Sequence, residues 1–281
     1  MPGVGEKCRA CGCTESDLVE TCADPYRVVR CSRCSLVAVR PQPDVCQLAN
    51  CYGSDYYAEW AGAQALARRE LWRRRLRQIR GLHTDGRTLL DVGCGLGTFL
   101  ELARASGWTV SGTEISPAAA ERAGAALGLE VFCGEVWDAG FPEKHFDVVT
   151  LWHVLEHVRD PVRVLRAVSR IAKTNGLVVI CVPNLESKVF NCIYRVVRGR
   201  RVSLFDPMGK EPHLFHFTSA TLKQVVGAAG LTVVSIGPDV GQVETVKRTI
   251  DSVARLLSMI VRRPWYAGLM IACAPEAGPS N

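Results

Sequence analysis

From residue 86 onward, short apolar runs alternate with segments of helical periodicity. The runs are TLLDVG (88–93), TVSGTEIS (109–116), EVFCG (130–134), HFDVVTLWHV (145–154) and LVVICVPN (177–184). Between them lie GTFLELARASG (97–107), PAAAERAGAAL (117–127) and DPVRVLRAVSRIA (160–172). Runs of this length bounded by glycine, proline or asparagine read as buried strands, and the periodic segments read as helices. Ser116 and Pro117 form a helix start, with serine at the cap and proline in the first turn. Asn175-Gly176 marks a turn before the fifth strand. Regular strand–helix alternation predicts an α/β fold: a doubly wound, mostly parallel sheet with helices on both faces. Ligands of such sheets sit at the carboxyl ends of the strands.

The pattern upstream differs. Residues 54–82 have helical periodicity, with Leu66, Leu71, Leu76, Ile79 and Leu82 near one face and arginines opposite. This helix is expected to pack on the main domain and frame its site. Three parts follow: a small N-terminal module (1–45), a helical linker (46–85) and the main domain (86–281), with a lid inserted at about 185–211. Within the lid, Val189, Phe190, Ile193, Tyr194 and Val197 share one side of a helix. A second amphipathic basic helix covers 245–263.

Charge adds partners to consider. The net charge of +6 is concentrated in RRELWRRRLRQIR (68–80) and RVVRGRR (195–201). A solvated arginine face is the plain reading. An acidic substrate, an anionic membrane surface and nucleic acid remain open, nucleic acid being the weaker option. No run approaches the roughly 18 apolar residues that span a bilayer, and the first residues do not read as a secretory leader. A cytoplasmic protein is expected, with contact at the periphery of a membrane left open.

Of the 13 cysteines, eight fall in the first 51 residues. Cys8-x-x-Cys11 and Cys31-x-x-Cys34 are separated by 19 residues, the spacing of a four-cysteine zinc site. Four thiolates close a tetrahedral shell with no open position, which makes such a site structural. Cys13 and Cys22 leave some ambiguity over the ligands, and YRVVRC (26–31) suits a hairpin strand.

The chemistry gathers at the strand tips. After the first strand comes Asp91, then Gly93-Cys94-Gly95-Leu96-Gly97. Glu114, 23 residues after Asp91, is placed to accept two ribose hydroxyls. Asp91 beside a pyrophosphate would be repelled, whereas beside an ammonium it attracts. A nucleoside ligand with an ammonium and no phosphate, S-adenosylmethionine, suits all three features. Glu135, Trp152, His153 and Asn184 follow the later strands.

LLDVGCGLGTFL, SGTEISP, FDVVTLWHVLEHVRDP, KTNGLVVICVPN and PHLFHFTSATLKQVVGAAGLTVV resemble class I S-adenosylmethionine-dependent methyltransferases over roughly residues 55–275. They are especially similar to the branch that contains ubiquinone-type O-methyltransferases and many sugar-modifying enzymes, a subset of which opens on a zinc ribbon. The resemblance implies a Rossmann-like methyltransferase fold. It implies a cofactor site of Asp91, Gly93, Cys94, Gly95, Gly97, Glu114, Ile115, Glu135, Val136, Trp152 and His153. Glu135 would meet the adenine amine, with Asp138 a near alternative. His153 would lie under the cofactor, while Glu156 and His157 would fix the turn after the fourth strand. Methyl transfer needs alignment and a base. Candidates are His213, favoured by its place in EPHLFHFTS, His153 and His216. The implied acceptor is a small molecule, glycan or lipid-linked compound methylated on oxygen or carbon. RNA methylation with the ribbon as a grip, and a non-catalytic cofactor-binding scaffold, stay open.

Overall fold

The computed structural model describes residues 6–44, 47–48, 65–82, 86–199, 202–207, 209, 211–239, 241 and 245–276. Cys46, Cys51, His83 and the part of the predicted linker helix before residue 65 lie outside the described residues. In chain order the elements are β1 (Ser16–Thr21), β2 (Arg27–Cys31), β3 (Val37–Arg40), α1 (Ala65–Leu82), β4 (Thr88–Val92), α2 (Thr98–Ala105), β5 (Thr109–Glu114), α3 (Pro117–Leu127) and β6 (Phe132–Cys133). They continue as β7 (Phe146–Trp152), α4 (Pro161–Ile171), β8 (Ala172–Pro183), α5 (Lys188–Arg198), β9 (Phe215–His216), α6 (Ser219–Gly227), β10 (Leu231–Pro238), α7 (Thr245–Val261) and β11 (Gly268–Pro275).

The large sheet has the order β10-β11-β8-β7-β4-β5-β6. The five strands from β8 to β6 pair in parallel, and β11 runs antiparallel between β8 and β10. The predicted α/β architecture is therefore present. Because successive strand residues face opposite sides of a sheet, neighbours divide between two cores. Leu89, Val148 and Val179 pack under α1, α2 and α3, while Leu90, Val149 and Val178 pack under α4 and α6. The order reverses at β4, which opens a crevice at its carboxyl end.

Three details depart from the sequence reading. The third strand shrinks to Phe132–Cys133 at the sheet edge. Asn175-Gly176 does not end an element. The register jumps from Phe146↔Ala172 to Val148↔Leu177, so these residues form a bulge inside β8. On α1 the buried side chains are Leu71, Arg75, Leu76 and Ile79, whereas Leu66 is 83% exposed and Leu82 is exposed as well. The arginine face is thus not wholly solvated. Arg75 stands four residues from both Leu71 and Ile79, which puts it on the buried stripe.

A second sheet, β1-β2-β3-β9, is antiparallel. Its first three strands come from the cysteine-rich segment and its fourth from residues 215–216. Val28, Val37 and Val39 of this sheet share one apolar core with Leu155, Leu214 and Phe217.

Candidate active site

The glycine bend follows β4 and is held tightly. Gly93, Gly95 and Gly97 have φ of 70°, 55° and 75°, the left-handed region that glycine enters without cost. A Cβ on Gly93 would stand 2.6 Å from Val154 Cγ2, so no larger residue fits there. The amides of Gly93 and Cys94 both donate to the Thr113 carbonyl, at 2.8 and 3.0 Å. The Gly95 amide donates to Glu114 Oε2 at 2.8 Å, and that of Gly97 to the Cys94 carbonyl at 3.0 Å. These N–H groups are engaged by protein acceptors, so the bend is not the open nest of amides that cradles a phosphate.

Two carboxylates border it. Glu114 is buried, and its other oxygen accepts the Ser116 amide at 2.9 Å. Ser116 occupies the helix cap position without a side-chain cap bond. Asp91 is buried and accepts the Thr150 hydroxyl at 2.6 Å. Burial pushes its pKa up to about 7, against the pull of Thr150 and Arg75, and Glu114 adds to the rise. Desolvation of the charged form outweighs both pulls.

Asp91, Gly93, Cys94, Phe99 and Trp152 line a cleft of about 180 Å³ that α1 roofs with Arg68, Arg69 and Trp72. Trp72, Phe99 and Trp152 form a ring cluster with centroids 5.3–5.9 Å apart. Arg69 pairs with Glu101 of α2 at 2.9 Å and closes the outer edge. The buried indole N–H of Trp152 has no partner among the described residues. Other predicted cofactor residues lie off this cleft. Ile115 is 45% exposed beside Glu114, and Val136 is buried in the core. The Gly134 amide donates to the Glu114 carbonyl, which brings Glu135 alongside the tip of β5. Burial raises the Glu135 pKa, and Asp138 raises it further.

Beyond Trp152 a chain of charged groups begins. The guanidinium of the fully buried Arg75 lies between the rings of Trp72 and Trp152, 4.8 and 4.4 Å from their centroids. It donates to both oxygens of Asp239, at 3.0 and 2.8 Å. The same carboxylate stands 3.1 Å from His153 Nε2, and Glu156 stands 3.4 Å from His153 Nδ1. Desolvation of the ring pulls the His153 pKa down, weakly for a side chain that is 40% exposed, and the two carboxylates raise it to about 9. Its φ of 56° is a strained value for a non-glycine residue. The Arg75 guanidinium also stands 3.4 Å from Nε2 of the same ring.

The Glu156 carboxylate continues the chain to His157 and His213, whose ring centroids are 4.8 Å apart. His157 Nδ1 faces the Pro212 carbonyl at 3.1 Å, which orients the ring by donation. Donor atoms of Glu156, His157 and His213 lie within 4.8 Å of one another, a set that would also accept a divalent cation. Burial, aided by His157, lowers the His213 pKa to about 4, so its imidazole is neutral. His216 is buried and also lowered, to about 3, by burial and by His213. Asn184 is structural, since its amide donates to the carbonyls of Pro264 and Tyr266.

The cysteines form a separate knot. Cys8 Sγ is 3.5 Å from Cys34 Sγ, and Cys11 Sγ is 3.5 Å from Cys31 Sγ. All four sulfurs lie within 4.8 Å of one another. Zinc at about 2.3 Å from four tetrahedral thiolates sets them roughly 3.8 Å apart, whereas a disulfide needs about 2.05 Å. The donor set fits zinc. Cys13 lies outside the knot and donates to the Glu15 carbonyl.

Arg75 and Asp239 are absent from the sequence reading. For Arg75 the signal was the four-residue spacing to Leu71 and Ile79. For Asp239, which follows β10, local sequence gave none.

Known proteins resemble the chain in sequence and fold. A family profile described as a methyltransferase domain matches residues 65–236, more than half of the chain. The ubiquinone biosynthesis O-methyltransferase of Thiobacillus denitrificans is 33% identical over 153 residues, covering 52% of this chain and 65% of that protein. That of Neisseria meningitidis serogroup A is 34% identical over 161 residues, covering 54% and 67%. The chain thus matches about two thirds of the length of these relatives. Among solved structures, magnesium protoporphyrin IX methyltransferase of Synechocystis PCC 6803, with bound S-adenosylhomocysteine, matches at a TM-score of 0.57. The match covers 83% of this chain and all of that one at 12% identity, a likeness of fold. By profile, relatives and sheet order together, the chain belongs to the class I S-adenosylmethionine-dependent methyltransferases.

Proposed function

We propose that the protein transfers a methyl group from S-adenosylmethionine to an amphiphilic small-molecule or lipid-linked acceptor. The observation that carries the cofactor half is the glycine bend. Its amides are spent on protein carbonyls and on Glu114, while the carboxyl beside it, Asp91, is buried against the Thr150 hydroxyl, with the nearby Arg75 committed to Asp239. That combination disfavours phosphate and suits an ammonium. Asp91 and the backbone at Gly93, Cys94, Gly95 and Gly97 would hold the methionine part, and Glu114 the ribose. Ile115, Glu135 and Val136 would border the adenine, and Trp152 would close the floor. When bound, the cofactor supplies a methyl group already activated on a positively charged sulfur.

The chain's own groups do the rest. The neutral imidazole of His213 takes the proton from the acceptor atom as that atom attacks. His153, held between Asp239 and Glu156, positions the end of β7 beside the acceptor half of the site. Two histidines with pKa values driven apart by their surroundings are a common way to divide such roles. Zinc, held by Cys8, Cys11, Cys31 and Cys34, supplies folding energy to a module with little core of its own.

The acceptor class rests on the surface formed by α5 and α7, which pack against each other. Val196, Val197, Met259 and Ile260 are each more than 70% exposed there. Arg195 and Arg198 on α5, with Arg262 and Arg263 after α7, flank them. A basic, apolar surface of this kind suits an amphiphile or the membrane that carries it. Among the described residues no helix is long and apolar enough to cross a membrane. The test is incubation with methyl-labelled cofactor and fractionated cell extract. Label in a lipid or small-molecule fraction is the expected result, and label in RNA overturns the acceptor assignment.

A further inference from the structure

The cysteine knot lies away from the cofactor cleft, yet its sheet reaches the other half of the site. β3 begins three residues after Cys34 and pairs with β9, with Val37 opposite His216 and Ala38 opposite Phe215. The Val39 amide donates to the Leu214 carbonyl at 2.9 Å. From the other side, the amides of Leu214 and Phe215 both donate to the Glu156 carbonyl, at 2.8 and 3.1 Å. Residues 213–216 are therefore a splint between β3 and the HVLEH turn. Their side chains lock into the same core, where Val37, Val39, Leu214 and Phe217 are all fully buried. The ribbon also grips the segment after α5. Glu20 accepts the Ser203 hydroxyl at 2.6 Å and the Leu204 amide at 3.1 Å, and Tyr26 meets Phe205 edge-on at 5.2 Å.

We infer that the four-cysteine knot is a positioning device for the acceptor half of the site: through β3 it fixes the backbone that carries His213. The inference rests on the reading of His213 proposed above only for its effect on rate. Its structural content is that zinc controls the order of residues 213–217 and not that of the cofactor strands. A displacement of about 1 Å in a reacting group costs on the order of 100-fold in rate, so loosening this splint is expected to abolish most methyl transfer.

The experiment is hydrogen exchange on the full chain, read by mass spectrometry, for zinc-loaded protein, metal-stripped protein and a Cys8→Ser/Cys11→Ser variant. Cofactor affinity is measured by calorimetry on the same samples. The expected result is loss of amide protection at 213–217, with protection in β4 and β5 and cofactor affinity retained. Val39→Pro keeps the four cysteines and is expected to retain zinc but lose the same local protection. Unchanged protection at 213–217 without zinc overturns the inference, and so does loss of protection throughout the large sheet. If His213→Asn retains full activity while zinc removal still loosens 213–217, the base assignment fails and the positioning role stands.

Discussion

In the proposed site the centre of the cofactor half, the glycine bend and its two carboxylates, comes from one continuous stretch, Asp91 to Ser116, whereas the acceptor half is gathered from five separated places. Arg75 comes from α1, His153 to His157 from the end of β7, His213 and His216 from β9 and its approach, Asp239 from the end of β10, and the strand that pairs with β9 from β3. The first half is stabilised by backbone bonds between neighbouring strands. The second is stabilised by buried charge and by a strand borrowed from another sheet. A strand–turn–helix unit can fix a nucleoside site almost regardless of what surrounds it. A proton-handling site with two histidines of opposite character needs distant groups to set each one.

The comparison can be broken at several points. The largest effect is expected from His213→Asn, which should lower the methyl-transfer rate by about 10²- to 10⁴-fold, the range for a lost general base. Calorimetry should show cofactor affinity unchanged, and a parallel loss of affinity would mean that the two halves are not separable. Next comes Asp239→Ala, which leaves the guanidinium of Arg75 buried without its counter-ion. Removing one partner of a buried pair costs about 3–5 kcal/mol, to be read as a lower midpoint in denaturant. A loss below about 1 kcal/mol would place the pair in water, where ion pairs contribute little. Smaller again is Glu114→Ala, expected to weaken cofactor binding by about 1.5–3 kcal/mol, the scale of hydrogen bonds to a charged group. Unchanged affinity would remove Glu114 from the ribose.

The same contrast explains what could be read from the chain. Asp91, the three glycines and Glu114 were legible because strand, bend and strand follow in order, and each side chain's place follows from its position at a strand tip. The four cysteines were legible because zinc imposes a local spacing on each pair. His153 and His213 were found as candidates, but not their protonation, because that depends on Asp239, Glu156 and His157, which only the fold brings near. Arg75 sits in a run of arginines that suggests a solvated face, although its spacing to Leu71 and Ile79 matches the buried one. The two-residue β9 carried no periodic signal at all, and the link between ribbon and active site was invisible for that reason.

The central claim is that the glycine bend receives an ammonium-bearing, phosphate-free nucleoside through Asp91. It is tested most directly by calorimetric titration of S-adenosylmethionine across pH into wild-type protein and Asp91→Asn. Burial holds the free Asp91 carboxyl near pH 7, so below that pH it is protonated and must lose its proton to meet the ammonium. Wild-type affinity should therefore fall as pH drops below 7, by up to about tenfold per unit. The Asn variant should bind about 2 kcal/mol more weakly at neutral pH, without that slope. Equal affinity and equal slope for the two proteins, or comparable binding of a nicotinamide dinucleotide, would contradict the account.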